Sequence, residues 1–271
     1  MRRKLACFEL VDGAEKRPCL LYTSVVASIV PAVLPRSYAE LEEGLALFSH
    51  LPTVARVQID AVDGRFASPA SWPYAPGDDL PGLRRSGGML PYLDTLEYEI
   101  DLMCLDAETA AGDWLALGAS RLTFHAESLF DISRFLAVVQ NRYGDEEGGV
   151  ASLVSFGLAL GIESDVTLLE QHLGSIDYVQ FMGIDSIGKQ GQPFDARVIQ
   201  RVRSFHVAHP EVSVQVDGGV SVEHAQELVA AGASDLVVGS AILKASDPAA
   251  AIAAFAAALG GAYATGKLNK I

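Results

Sequence analysis

Residues 212–242, VSVQVDGGVSVEHAQELVAAGASDLVVGSAI, contain the pattern that decides the fold. Val212–Val216 is rich in β-branched residues and runs into Asp217 and two glycines, which predicts a strand followed by a turn. Val222–Ala231 has apolar residues at helical spacing, and Leu236–Val238 is a second short apolar run. The order of strand, helix and strand predicts one βαβ unit of a parallel sheet.

The same alternation continues through most of the chain. The predicted strands are Val25–Val33, Ala55–Val62, Leu96–Cys104, Arg121–Ala126, Ala151–Leu160, Ile176–Met182, Val212–Val216 and Leu236–Val238. The predicted helices are Tyr38–His50, Asp131–Asn141, Phe194–Ala208, Val222–Ala231 and Pro248–Leu259. Many of the strands are continuously apolar, as expected for strands buried on both faces. Eight units favour a closed (β/α)8 TIM barrel of the α/β class over an open doubly wound sheet.

We expect one barrel domain over residues 25–262 and a C-terminal tail over 263–271. Residues 1–24 form an N-terminal extension that is a candidate non-native segment, because Cys19–Ser24 matches the translation of a common transposase sequencing adapter. Ala67–Gly88 is rich in Pro, Gly, Ser and Asp. This segment is either a surface loop over one barrel mouth or a disordered insertion.

Composition narrows the possible partners. The 271 residues carry a net charge of −14 and no basic stripe, so we expect neither nucleic acid nor membrane as a partner. Cys7, Cys19 and Cys104 are odd in number and lack CxxC spacing, which argues against a disulfide framework and favours a reducing cytoplasm. Charged residues between basic Met1–Lys4 and apolar Cys19–Leu34 argue against a signal peptide.

Acidic residues stand near the ends of three predicted strands. Asp60, Asp101 and Asp217 each follow or interrupt an apolar run, and period-two alternation places Gln58 on the same face as Asp60. Active sites of these barrels lie at the carboxyl ends of the strands. A buried carboxylate is costly unless it is paired, hydrogen-bonded or bound to a metal, so the three together predict a site.

Glycines follow the last three predicted strands. These positions are Gly188 and Gly191 after the sixth strand, Gly218 and Gly219 after the seventh, and Gly239 with Ser240 after the eighth. Loops after strands seven and eight often bind phosphate through backbone N–H groups, so we expect a phosphate cradle here. The sequence has no Walker motif, and we expect no nucleotide cofactor.

These segments resemble the ribulose-phosphate 3-epimerase family over roughly Val25 to Ala257. The matching segments are Asp60–Phe66 (family D-V-M-D-G-H-F), Asp101–Met103 (H-L-M), Phe124–Glu127 (H-x-E), Gly157–Leu160 (G-L-A-L/I), Gly191–Phe194 (end of G-F-G-G-Q-x-F), Val216–Val220 (V-D-G-G-V) and Val238–Ile242 (G-S-A-I). The last two, at this spacing, are the most specific.

The resemblance implies an epimerase that acts on a ketopentose phosphate, a small phosphorylated sugar. Asp60 and Asp217 match the family's two aspartates, which face each other across the substrate as acid and base. Met103 and Met182 are expected beneath the substrate. His125 either polarises the substrate carbonyl or is a satisfied core histidine. We also expect a homo-oligomer.

The sequence departs from the family at the site itself. The family's metal is held by two histidines and two aspartates, but the histidine positions are Gln58 and Asp101 here, and Pro31 replaces a serine. The set Gln58, Asp60, Asp101 and Asp217 offers oxygen ligands, which suit Mg²⁺ or Mn²⁺ better than Zn²⁺. The alternative is that the metal is lost and the carboxylates repel one another.

Three functions therefore compete. The first is a phosphosugar epimerase, and the second is another sugar-phosphate isomerase or a decarboxylase of related fold. The decarboxylases carry a D-x-K-x-x-D strand, whereas Asp60–Asp63 contains no lysine. The third is a non-catalytic phosphosugar binder that has lost the family's metal centre.

Overall fold

The computed structural model describes residues 27–144 and 154–259. Eight parallel strands follow one another around a closed barrel, and β8 pairs with β1. They are β1 (Ser28–Val33), β2 (Arg56–Val62), β3 (Glu97–Met103), β4 (Arg121–His125), β5 (Ser155–Leu160), β6 (Tyr178–Met182), β7 (Ser213–Asp217) and β8 (Asp235–Val238). The predicted (β/α)8 barrel is confirmed, and each strand lies within its predicted segment or extends it by one residue.

The helices cover the outside of the barrel. They are α1 (Tyr38–Ser49), α2 (Leu80–Arg85), α3 (Ala107–Ala116), α4 (Ile132–Tyr143), α5 (Thr167–Glu170), α6 (Arg197–Ala208), α7 (Val222–Ala231), α8 (Ser240–Leu243) and α9 (Pro248–Ala258). The five predicted helices are present. The sequence patterns did not indicate α2, α3, α5 and α8, because three of these helices are too short to show a period and α3 buries mainly alanines.

Some predictions fall outside the described residues. Val25 and Val26 of the first predicted strand and residues 151–153 of the fifth lie there. The N-terminal extension 1–24, the end of the barrel domain at 260–262 and the tail 263–271 lie there as well, so the domain limits stay predictions.

Alternate residues of each strand face the inside of the barrel, as the two-residue period of a strand requires. Outward residues of β2, such as Val57, Ile59 and Ala61, belong to the main hydrophobic core between the barrel and its helices. Inward residues are largely polar. At the amino-terminal end, Arg56 and Asp235 lie 2.5 Å apart, and Arg121 lies 2.8 Å from Glu99.

The segment predicted as either a loop or a disordered insertion, Ala67–Gly88, is an ordered connection that contains α2. Buried Ser71 fixes it to β2, since its hydroxyl accepts a bond from the Val62 amide at 2.9 Å and donates to the Asp60 carbonyl at 3.0 Å. Trp72 packs edge-on against Trp114 of α3. The segment thus lies against the carboxyl end of β2, in agreement with the surface-loop interpretation.

Candidate active site

Three carboxylates meet inside the carboxyl end of the barrel. Asp60, Asp101 and Asp217, on β2, β3 and β7, each place an oxygen within 4.8 Å of the others. Asp60 and Asp101 are register partners on adjacent strands, whereas Asp217 reaches them across the interior. Asp101 is fully buried and Asp60 is 9% exposed. The structure therefore brings together the three acids that the sequence singled out.

Gln58 links two of these acids. Its amide nitrogen donates to Oδ1 of Asp60 and to Oδ2 of Asp217, both at 2.8 Å. Gln58 and Asp60 are two residues apart on one strand, which is why both side chains point inward. The carboxylates of β2 and β7 therefore share one donor and face the same space.

Asp101 has two partners of its own. Nε2 of His125 lies 3.0 Å from its Oδ1, and the amide nitrogen of Gln180 donates to its Oδ2 at 3.2 Å. His125 is fully buried and also packs against Phe66. The structure thus places His125 beside Asp101 and not among the residues that line the cleft described below, and its substrate-binding role stays a prediction.

Burial and mutual repulsion shift the protonation of this cluster. Burial, followed by the charge of Asp101, raises the pKa of Asp217 to about 7. Burial, followed by the charges of Asp217 and Asp101, raises the pKa of Asp60 well above its ordinary range. Burial opposes the charge on His125, but Asp101 outweighs it and raises the pKa of His125. Without a compensating cation, burial and repulsion therefore favour the protonated forms of Asp60 and Asp217.

The three carboxylates fit a hard divalent cation. Their oxygens lie close together, and Mg²⁺ and Mn²⁺ prefer such ligands. Gln58 is less well placed as a ligand, because its Oε1 faces the amide nitrogen of Gln215 at 3.3 Å. Ligation by that oxygen would require the amide to turn over, so the role of Gln58 as a metal ligand stays a prediction.

A cleft of about 540 Å³ of empty space, open to solvent, lies above the acids. The predicted site residues that line it are Asp60, Met103, Met182, Gly188, Gly191, Asp217, Gly218, Gly219, Gly239 and Ser240. Lys189, Gln190 and Ala32, the neighbour of Pro31, line it too. The structure thus joins two of the acids, Asp60 and Asp217, and the glycine loops in one cleft.

Two glycines after β7 allow the chain to approach its neighbours closely. Gly218 and Gly219 have φ values of 107° and 67°, which disfavour side chains with a Cβ. A Cβ on Gly219 would lie 2.7 Å from Cα of Phe194. The turn at the edge of the cleft therefore requires glycine for both its conformation and its packing.

Two polar residues of the interior, Gln180 and Gln215, were not predicted from the sequence. Both are fully buried amides in apolar strands, YVQFM and SVQVD. The alternation that indicated Gln58 was present in these strands as well.

Within the part of the chain that the structure describes, no helix is long and apolar enough to cross a bilayer.

Residues 83–243 match the family described as "Ribulose-phosphate 3 epimerase family". The chain is 28% identical over 157 residues to the ribulose-phosphate 3-epimerase of Escherichia coli K12. This match covers 56% of this chain and 65% of the E. coli protein. It is 26% identical over 228 residues to the chloroplastic ribulose-5-phosphate-3-epimerase of Arabidopsis thaliana. That match covers 83% of this chain and 74% of the Arabidopsis protein.

Among solved structures, a ligand complex of KGPDC from Streptococcus mutans is similar in fold. It superposes with a TM-score of 0.61 at 15% identity and covers 88% of this chain and 99% of that one. At this identity the likeness concerns the barrel alone. The chain spans about two thirds of the length of its E. coli relative.

Proposed function

This chain belongs to the ribulose-phosphate 3-epimerase family, and from that premise we propose that it interconverts ketopentose phosphate epimers by proton transfer between Asp60 and Asp217. The observation that carries the proposal is the shared hydrogen bond from Gln58, which holds carboxylates from β2 and β7 at the floor of one cleft. Two carboxyl groups that come from different strands and face one cleft suit a reaction that inverts the configuration at a carbon atom.

Inversion beside a carbonyl group needs a base on one face of the carbon and an acid on the other. Asp60 and Asp217 come from strands that are separated by β1 and β8, so they approach the cleft from different sides. In one direction, one carboxylate removes the proton on C3, and the other carboxyl group returns a proton to the opposite face. When no cation is bound, burial and the charge of Asp101 raise the pKa of Asp217 to about 7, which is in the range that suits proton transfer near neutral pH.

Asp101 completes the set of acids that would hold a cation with Asp60 and Asp217. A bound Mg²⁺ or Mn²⁺ would stabilise the negative charge that develops on the substrate oxygens. His125 and Gln180 fix both oxygens of Asp101, and ligating carboxylates in proteins commonly have such partners.

The glycine loops are the proposed phosphate site. The residues of these loops that line the cleft are Gly188, Gly191, Gly218, Gly219, Gly239 and Ser240. Backbone N–H groups in such loops bind phosphate oxygens without needing a basic side chain. Met103 and Met182 line the same cleft and supply apolar surface for the sugar.

The test is isotope exchange. The protein is incubated with ribulose 5-phosphate and Mn²⁺ in D₂O, and the sugar is examined by NMR. Deuterium at C3 together with xylulose 5-phosphate supports the proposal. Binding of the sugar without exchange would instead identify a non-catalytic binder, and exchange at another carbon would identify another isomerase. A cytoplasmic location and a homo-oligomeric assembly stay predictions.

A further inference from the structure

Three buried amides form a layer directly beneath the acids. This glutamine layer consists of Gln58 on β2, Gln180 on β6 and Gln215 on β7, and all three side chains are fully buried. Each amide has one donor end and one acceptor end, so its orientation determines whether it attracts or repels a neighbouring carboxylate.

Gln215 lies at the centre of the layer. Its amide nitrogen lies 2.8 Å from Oε1 of Gln180 and 3.3 Å from Oε1 of Gln58, and it also donates to Oε1 of Glu99. Turning this amide over would bring its oxygen against three other oxygens. The orientation is therefore dictated by the acceptors around the nitrogen.

The Oε1 of Gln215 supports the same conclusion. Among the described residues this buried oxygen has no hydrogen-bond partner. An unsatisfied buried acceptor is costly, so the contacts of the nitrogen must outweigh the loss. Gln215 therefore acts on the residues around it as a hydrogen-bond donor.

The other two amides are thereby aligned. With their oxygens directed at Gln215, Gln58 and Gln180 present their nitrogens to the acids above, at 2.8 Å from Asp60 and Asp217 and 3.2 Å from Asp101. Linked hydrogen bonds polarise one another in a buried environment. The amide of Gln215 in turn donates to the carboxylate of Glu99, which is held by Arg121 at 2.8 Å.

We propose that Gln215 is a positioning residue that fixes the amide nitrogens of Gln58 and Gln180 toward the three acids, and that Gln58 serves as a donor to Asp60 and Asp217 in place of the ligand role predicted from sequence. This donor layer attracts the buried carboxylates from below and leaves Oδ2 of Asp60 and Oδ1 of Asp217 for the cleft. The proposal deepens the proposed function and rests on it, because the acids concerned are those of the exchange reaction.

The first test uses the protein without sugar or metal, so that it can fail independently of the proposed function. The side-chain NH₂ signals of ¹⁵N-glutamine-labelled protein are assigned with Gln58→Met and Gln180→Met. In Gln215→Met, which keeps the unbranched shape but removes the donor, solvent exchange of the Gln58 and Gln180 signals should accelerate at least about tenfold. Gln226→Met is the matched control, because the Gln226 side chain is exposed and donates to the Ala258 carbonyl on the outside of the barrel.

Unchanged exchange of both signals in Gln215→Met with native circular dichroism would overturn the proposal. Should that variant fail to fold, Gln215→Asn makes the same comparison, since it keeps an amide but shortens its reach. A second measurement addresses the consequence for the acids. In the isotope-exchange assay, Gln215→Met should lower kcat about tenfold with KM unchanged, and an unaltered kcat would refute the link between this layer and proton transfer.

Discussion

Asp101 and His125 form a buried hydrogen bond between neighbouring strands, with Nε2 and Oδ1 3.0 Å apart. Neither side chain is accessible to solvent. The acid that stands where the family has a histidine is thus itself held by a histidine on the next strand. The oxygen-only character of the proposed cation site is therefore built into the fold, since His125 is already engaged with Asp101.

This arrangement predicts a change in metal preference when histidines are restored. In the variant Gln58→His/Asp101→His, the ratio of Zn²⁺ affinity to Mn²⁺ affinity should rise at least about tenfold over that of the unmodified protein, because imidazole suits Zn²⁺ better than carboxylate does. Isothermal titration with each metal measures the ratio. An unchanged or lower ratio in a folded variant would show that these positions do not ligate the cation.

A second prediction concerns the acid and base. Asp60→Asn and Asp217→Asn should each lower deuterium exchange at least about a hundredfold, because an amide neither accepts nor returns the proton. Binding of the sugar phosphate should stay within about tenfold in Asp217→Asn, since the proposed phosphate contacts lie in the glycine loops. Asp185→Asn, at an exposed position after β6, is the control that should retain full exchange. Substantial exchange in Asp217→Asn would exclude it as an acid–base group.

The sequence reveals a site residue when the signal lies within its own strand, and it does not when the signal depends on contacts with other strands. Asp60 and Asp217 were predictable because each lies at or near the end of an apolar strand and matches a family motif. Gln180 and Gln215 were not, because an isolated amide in a strand gains meaning only when barrel closure brings β6 and β7 opposite β2. The orientation of these amides is a property of several strands together, which no local pattern encodes.

The turn after β7 gives a third prediction. Gly219→Ala should weaken binding of the sugar phosphate about tenfold, because the added Cβ would lie 2.7 Å from the Phe194 backbone and the residue has φ 67°. Gly174→Ala is a suitable control, since a Cβ there meets nothing within 4 Å. Fluorescence or calorimetric titration measures both. Equal affinities would show that this turn does not shape the phosphate site.

Cys104 gives a fourth prediction, on reactivity. The thiol follows β3, is 2% exposed and has a pKa raised to about 12 by burial, with a further contribution from the charge of Asp63. Because the thiolate is the reactive form, iodoacetamide at pH 8 should modify Cys104 at least about a hundredfold more slowly in the native protein than in urea. The measurement uses Cys7→Ser/Cys19→Ser, and mass spectrometry follows the modification. Rapid labelling of the native form would indicate frequent opening of this part of the barrel.

The last prediction concerns the ion pairs at the amino-terminal end of the barrel. Glu99 is fully buried and lies 2.8 Å from Nε of Arg121 and 3.4 Å from Nε of Arg56. Arg121 also stacks on the ring of Tyr178, 3.4 Å from its centroid. Removal of Arg121 leaves the buried carboxylate of Glu99 with only the longer contact to Arg56 among these two arginines, and loss of a partner from a buried ion pair is strongly destabilising. Arg121→Met should therefore lower the free energy of unfolding by about 3 kcal/mol, measured by urea denaturation at pH 7.

The double variant Arg121→Met/Glu99→Met distinguishes this cause from a simple loss of packing. It removes both charges, and Arg56 keeps its contact with Asp235 at 2.5 Å. Its loss of stability should be clearly smaller than the sum of the losses of the two single variants, because each single variant leaves a buried charge with one partner fewer. Arg36→Met, which breaks an exposed pair with Glu40 on α1, is the control and should leave stability unchanged within error. Additive losses in the double variant would mean that packing around Tyr178, and not the buried charge, accounts for the effect of Arg121→Met.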